Sequence, residues 1–213
     1  DLMGIMDKET MGQIEKELHA IDPSIIMYGE PWYCGETPLD PKQQMNKGAQ
    51  QGMKIAIFND NIRDGIKGPG FAQGKKGKEG EMKRVAAGSI LFGDPTVDGK
   101  PAEPYYEFPD KIVTAGPDET INYVSCHDNH TLYDKLRLLE KSEEVRQNMD
   151  KLSQAMVYTS QGIPLILAGE EMLRTKNKNE NSYNAGDKDN MIDWSRKAQY
   201  KDVFDYYKGL IEL

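Results

Sequence analysis

Four short apolar runs punctuate the chain, at residues 25–28, 53–58, 121–124 and 163–168. Each is nearly continuous in Ile, Met, Val or Leu and does not alternate with polar residues. That pattern is expected of parallel strands covered on both faces. Between the runs, apolar positions recur at helical spacing. Met11, Ile14, Leu18 and Ile21 predict a helix with Asp7 as its N-cap and Asp22-Pro23 as its stop. Val145, Met149, Leu152, Met156 and Thr159 predict a longer helix, ended by Gln161-Gly162-Ile163-Pro164. Val203, Tyr206, Tyr207 and Leu210 predict a last one. The Met and Tyr stripes read as core packing. Strands alternating with helices imply an α/β fold with a parallel sheet. We read residues 1–213 as one domain, interrupted by an irregular insertion at about 59–120 that is rich in Gly, Pro and Lys.

The middle of that insertion, Gly68 to Lys78, invites a phosphate-loop reading, but the spacing fails. No Gly stands five residues before a Gly-Lys pair, and neither Ser nor Thr follows the Lys. A solvated surface loop is the better account. A net charge of -8 argues against a binder of nucleic-acid phosphates, since Lys and Arg form no excess. Cys34 and Cys126 read as two free thiols, and no stretch approaches the ~20 apolar residues of a membrane span. His19, alone on a predicted helix, reads as solvent-facing. No segment at the start combines a basic n-region with an apolar h-region. The compartment stays open, with an extracellular or cell-surface site weighed ahead of the cytoplasm.

Two carboxylates follow apolar runs directly. Glu30 lies two residues past Tyr28, and Asp128 four past Val124. Asp1 would hold the same position after a strand, but the chain opens on it and no strand precedes it. In a (β/α)8 barrel the reacting groups sit just past the C-terminal ends of the strands, so the three acids would converge on one pocket. Glycoside hydrolysis needs such a set. One carboxyl protonates the leaving oxygen and another attacks the anomeric carbon. Crowding of like charges keeps the acid protonated near neutrality. A third acid stabilises the oxocarbenium-like transition state. Gly29 permits close backbone approach before Glu30, and Trp32 offers a flat apolar face of the kind sugars stack upon. His127, Asp128, Asn129 and His130 place four polar groups after a buried run. A metal site at His127 and His130 lacks a completing ligand set, and no Gly-x-Ser-x-Gly elbow supports a serine hydrolase. A sugar-binding module or an inert piece remains open beside the glycosidase reading.

Three stretches resemble conserved regions of the α-amylase superfamily: Asp1-Leu2-Met3-Gly4-Ile5, Tyr28-Gly29-Glu30-Pro31-Trp32, and Val124 through Leu132 with Ser125-Cys126-His127-Asp128-Asn129-His130 at its centre. Ala168-Gly169-Glu170-Glu171-Met172-Leu173-Arg174-Thr175-Lys176, Asn181-Ser182-Tyr183-Asn184-Ala185 and Asp193-Trp194-Ser195-Arg196 narrow the resemblance to type I pullulanases. The resemblance implies retaining hydrolysis of α-1,6 branch links in pullulan, glycogen or limit dextrins, or, failing that, another α-glucan hydrolase of the superfamily. It implies that the four strands are the fifth to eighth of a (β/α)8 TIM barrel, so that this chain is a truncated second half. Asp1 is similar in position to the nucleophile, Glu30 to the general acid and base, and Asp128 to the third acid. His127 would bond hydroxyls of the same ring, Trp32 would stack beside the scissile bond, and Asn181 and Tyr183 would border the donor-side subsites. No cofactor or metal is implied for this chain, although calcium is conceivable in a longer parent. The implied partner is an α-glucan oligosaccharide or polysaccharide. The family's Arg two residues before the nucleophile, its upstream Asn-His motif and the Tyr-Asn-Trp-Gly-Tyr motif are absent. The isolated chain is therefore expected to be inactive or nearly so. The open edges of a half-barrel would also favour self-association.

Overall fold

The computed structural model describes residues 2–32, 35–68 and 114–213, together with the backbone of 96–97 and 100–101. Four strands form one parallel sheet: β1 (Met27–Gly29), β2 (Ile55–Phe58), β5 (Thr120–Asn122) and β6 (Ile163–Pro164), in the order β1-β2-β5-β6. Met27 pairs with Ile55 and Gly29 with Ile57, and Phe58 pairs with Ile121. Leu165 extends the last pairing by donating its N–H to the Asn122 carbonyl at 2.8 Å. The remaining strands, β3 (Thr96–Val97) and β4 (Lys100–Pro101), form a small antiparallel ladder within the expected insertion. All four apolar runs thus contribute a strand, but the strands are shorter than the runs. Val124 is buried past the end of β5, and the fourth run is strand only at Ile163–Pro164.

By compactness the chain divides into two units, one comprising 1–59, 87–121 and 161–163, the other 60–86, 122–160 and 164–213. In the first unit, helix α1 (Lys8–Ile21) begins where the sequence predicts. The Asp7 carboxylate accepts the Thr10 N–H at 2.8 Å, a bond that also holds its pKa below the usual range. The expected apolar stripe is only partly buried, however: Met11 is inside, whereas Ile14 and Ile21 face solvent. The core consists of Met3, Met11, Met45, Ile55 and Ile57, with Met27, Ala49 and Met53 packed against it. His19 corrects the solvent-facing expectation. Its ring is half-buried, with Nδ1 2.5 Å from the Glu15 carboxylate and Nε2 2.7 Å from the Ile25 carbonyl. Only the imidazolium can donate to both, and these two partners raise its pKa above the ordinary 6.5.

In the second unit, helix α2 (Asp60–Lys67) occupies the start of the stretch expected to be irregular. Helices α3 (Leu132–Leu139), α4 (Glu143–Thr159) and α5 (Lys201–Ile211) follow, the first capped by Thr131 and the second by Ser142. The stripe expected on α4 is corrected too. Val145 and Leu152 face solvent, and the inward face presents Asp150, Ser153, Gln154 and Val157. This unit also holds two apolar clusters: Val124, Leu132, Leu136 and Val157, and Tyr133, Leu173, Val203 and Tyr207. The Tyr207 hydroxyl donates to the Asp150 carboxylate at 2.6 Å. Cys126 is a free thiol, while Cys34 and most of the Gly68 to Lys78 stretch lie outside the described residues. No described helix is long and apolar enough to cross a membrane.

Candidate active site

Glu30 stands at the first position after β1, in the first unit. The loop it opens is held by backbone contacts made possible by missing side chains. A Cβ on Gly4 would lie 2.0 Å from the Trp32 carbonyl oxygen, and one on Gly29 would lie 2.9 Å from the Met3 Cβ. With no side chain in the way, the Gly4 N–H donates to the Glu30 carbonyl at 2.9 Å. The Leu2 N–H donates to the Glu30 carboxylate at 3.3 Å, with Leu2 in the left-handed region at φ 54°. Non-glycine residues seldom adopt that conformation, and when they do the surroundings must impose it. The residue joined to Asp1 is thus bonded to the side chain of Glu30; Asp1 itself lies outside the described residues. Trp32 is half-buried, with the Lys47 ammonium 5.9 Å from its ring centroid.

Asp128 is presented differently, by a loop of the second unit that runs from Ser125 to Thr131. Asp128 and His127 are exposed at its tip, with His127 Nε2 3.6 Å from Asp128 Oδ1. Asn129 takes the left-handed conformation at φ 61° that lets the loop turn back. Buried charged side chains hold the loop's backbone. The Lys176 ammonium donates to the His127 carbonyl at 2.7 Å, and Lys67 donates to the His130 carbonyl at 3.3 Å. The ring of His130 donates from Nε2 to the Lys178 carbonyl at 3.1 Å. Asp134 accepts from the Thr175 hydroxyl at 2.5 Å and from the Lys176 N–H at 2.6 Å. The Ser125 hydroxyl is bonded to the Glu170 carboxyl.

Burial disfavours the charged form of these groups. It brings Lys67 down to about 7 and pushes Glu170 up to about 8, with Asp150 adding to the shift at Glu170. Lys176 is lowered by burial and by Arg174, against the opposing pull of Asp128 and Asp134. His130 is lowered by burial, with Glu180 opposing.

Asn181 and Tyr183 lie on the segment between the 3-10 turn Glu170–Met172 and the helical turn Asp187–Asn190. Both are exposed; the Asn181 N–H donates to the Asn179 side chain at 3.0 Å. Among the described residues, neither unit by itself gathers three His, Cys, Asp or Glu ligand atoms. Sequence reasoning gave no role to Lys67, Asp134, Glu170 or Lys176. The available signal was the run from Ala168 to Lys176, in which two of them stand.

No family model matches the chain. It is 33% identical over its whole length to a pullulanase of Bacillus subtilis (strain 168), covering 29% of that protein. It is 32% identical over 92% of its length to the chloroplastic pullulanase 1 of Arabidopsis thaliana, covering 25% of it. Among solved structures, the pullulanase from Bacillus acidopullulyticus matches all of the chain with a TM-score of 0.85 and 44% identity, over 25% of that chain. The pullulanase from Paenibacillus barengoltzii, solved in complex with maltohexaose and α-cyclodextrin, matches with a TM-score of 0.86 and 38% identity, over 32% of its length. In sequence and in fold the chain is pullulanase-like throughout, and it spans about a quarter to a third of the length of those relatives.

Proposed function

We propose that this chain carries catalytic residues of an α-1,6-glucan hydrolase that works with retention. In this reading the 213 residues are one partial barrel domain, and β1, β2, β5 and β6 correspond to the fifth to eighth strands of a (β/α)8 barrel. Parallel pairing supports the correspondence, as does the position of Glu30 and Asp128 after the C-terminal ends of β1 and β5. One observation carries the reading above the others: Glu30 stands at the mouth of β1 with its carboxylate bonded to the N–H of the residue that follows Asp1.

The chemistry then runs in two steps. Glu30 gives its proton to the glycosidic oxygen as that oxygen leaves C1, and the Asp1 carboxylate forms the new bond to C1. Glu30, now ionised, takes a proton from water; the water oxygen bonds to C1 and Asp1 departs. Asp128 stabilises positive charge on the ring at both transition states, with His127 beside it. Trp32 supplies a stacking face, and Asn181 and Tyr183 border the sugar on the donor side. The ligand is an α-glucan, the class bound in the Paenibacillus barengoltzii complex.

Binding separates this reading from a plain sugar-binding module. A basic iminosugar resembles the charged transition state, whereas maltotetraose resembles the ground state. Calorimetry on the 213-residue chain should show Glu30→Gln and Asp128→Asn each weakening the iminosugar about tenfold or more, and maltotetraose much less. Equal effects on the two ligands, or none on the iminosugar, would contradict the proposal.

A further inference from the structure

Glu170 is a puzzle if regarded only as packing. Its side chain is fully buried, where a methionine or leucine would fill the space without the desolvation cost of a carboxyl. The turn that carries it is also bracketed by two left-handed residues, Gly169 at φ 97° and Leu173 at φ 58°. A leucine in that region is strained, and such strain persists where the surroundings impose it.

The contacts account for the carboxyl. One oxygen accepts the Leu167 N–H and the Gln154 amide, each at 3.2 Å, which fixes the group in place. The other holds the Ser125 hydroxyl. The same Ser125 oxygen accepts the Leu132 N–H at 3.1 Å, bridging seven residues of chain. Those residues are the loop with His127 and Asp128 at its tip. Glu170 therefore grips the base of that loop, with Asp150 and Lys67 as the charged groups in its field.

We propose that Glu170 is a positioning residue for the His127–Asp128 loop, acting through Ser125. The inference rests on the catalytic reading of Asp128 given above. Glu170→Gln keeps a planar group able to hold Ser125, whereas Glu170→Met keeps the volume and loses the bond. On the full chain, NMR would follow the Leu132 amide exchange rate and the His127 ring resonance, and calorimetry the affinities for an iminosugar and for maltotetraose. In Glu170→Met, Leu132 exchange should rise about tenfold more than exchange in Lys201–Ile211, as expected when a buried hydrogen-bonding partner is removed. The His127 resonance should move, and the iminosugar should weaken about tenfold against a small change for maltotetraose. Glu170→Gln should restore all of these to near the parent values.

A uniform rise in exchange across the unit, or a methionine variant that behaves like the glutamine one, would overturn the proposal. Should Glu170→Met fail to fold, Ser125→Ala cuts the same link and should move the same signals in the same direction; if it does not, the proposal falls. A parent chain that binds neither ligand would defeat the catalytic reading, while Leu132 exchange and the His127 resonance would still decide the positioning role.

Discussion

Two loops carry the proposed carboxylates, and they are held by opposite means. The Glu30 loop is fixed by backbone against backbone: Gly4 and Gly29 lack the side chains that would block it, and two N–H groups bond to Glu30. The Asp128 loop is fixed by long ionisable side chains reaching it from buried positions, Lys67 and Lys176 on its carbonyls and Glu170 on the hydroxyl of its serine. The first kind of support has no titratable part apart from Glu30 itself. The second depends on groups whose charge is opposed by burial. The first should therefore be sensitive to volume and the second to charge and pH.

The sharpest break should come at Gly4. A Cβ there meets a carbonyl oxygen at 2.0 Å, which no rotamer change can relieve. Gly4→Ala should destabilise the chain by about 3 kcal/mol, read from its urea midpoint. A loss below half of that would show that the loop has room to move. Next in size is Lys176→Met, which leaves the His127 carbonyl without the Lys176 donor. The expected cost is roughly 1–3 kcal/mol, with Leu132 and the His127 ring perturbed and the Gly4 amide unmoved. A variant as stable as the parent would mean that Lys176 only neutralises charge.

A further effect concerns pH. Burial pushes the Asp150 carboxyl up to about 7 from an ordinary 3.8. The folded chain then keeps a proton that the unfolded chain loses, so this group's contribution is complete below about pH 4 and is lost as pH rises through about 7. Asp150→Asn, neutral throughout, should flatten that part of the stability profile; an unchanged profile would assign the slope elsewhere. His19 is expected to give the smallest effect of the series. Its raised pKa gives a contribution that is full below the ordinary 6.5 and fades as pH passes the higher folded value. His19→Gln should remove that fading and leave the Glu30 loop unchanged. An NMR titration placing His19 at or below 6.5 would contradict the imidazolium bridge.

The same contrast explains what could be read beforehand. Gly29-Glu30-Pro31-Trp32 was legible because a glycine beside an acid and an aromatic ring has local meaning. The Asp7 cap and the apolar runs of the sheet were legible for the same reason, since caps and strands depend on neighbours in the chain. Helix α2 was not, because Gly65 and a sequence dense in charge disguise its single buried face. Nor was the inward side of α4, where Asp150 and Gln154 take places that periodicity assigned to Val145 and Leu152. Buried Lys67, Glu170 and Lys176 look like surface charges in a chain containing 27 Lys and Arg and 35 Asp and Glu. Apart from the Leu167 N–H, three residues before Glu170, the partners of these side chains lie 16 to 63 residues away in sequence, so little local pattern marks them.

The central claim is that two loops held so differently serve one reaction. A double-mutant cycle on iminosugar affinity tests it directly, with Glu30→Gln, Asp128→Asn and the pair measured by calorimetry on the same chain. Carboxylates acting on one ring should be coupled, with the pair departing from the sum of the single effects by about 1 kcal/mol or more. Strict additivity, with each substitution weakening the iminosugar independently of the other, would contradict the account.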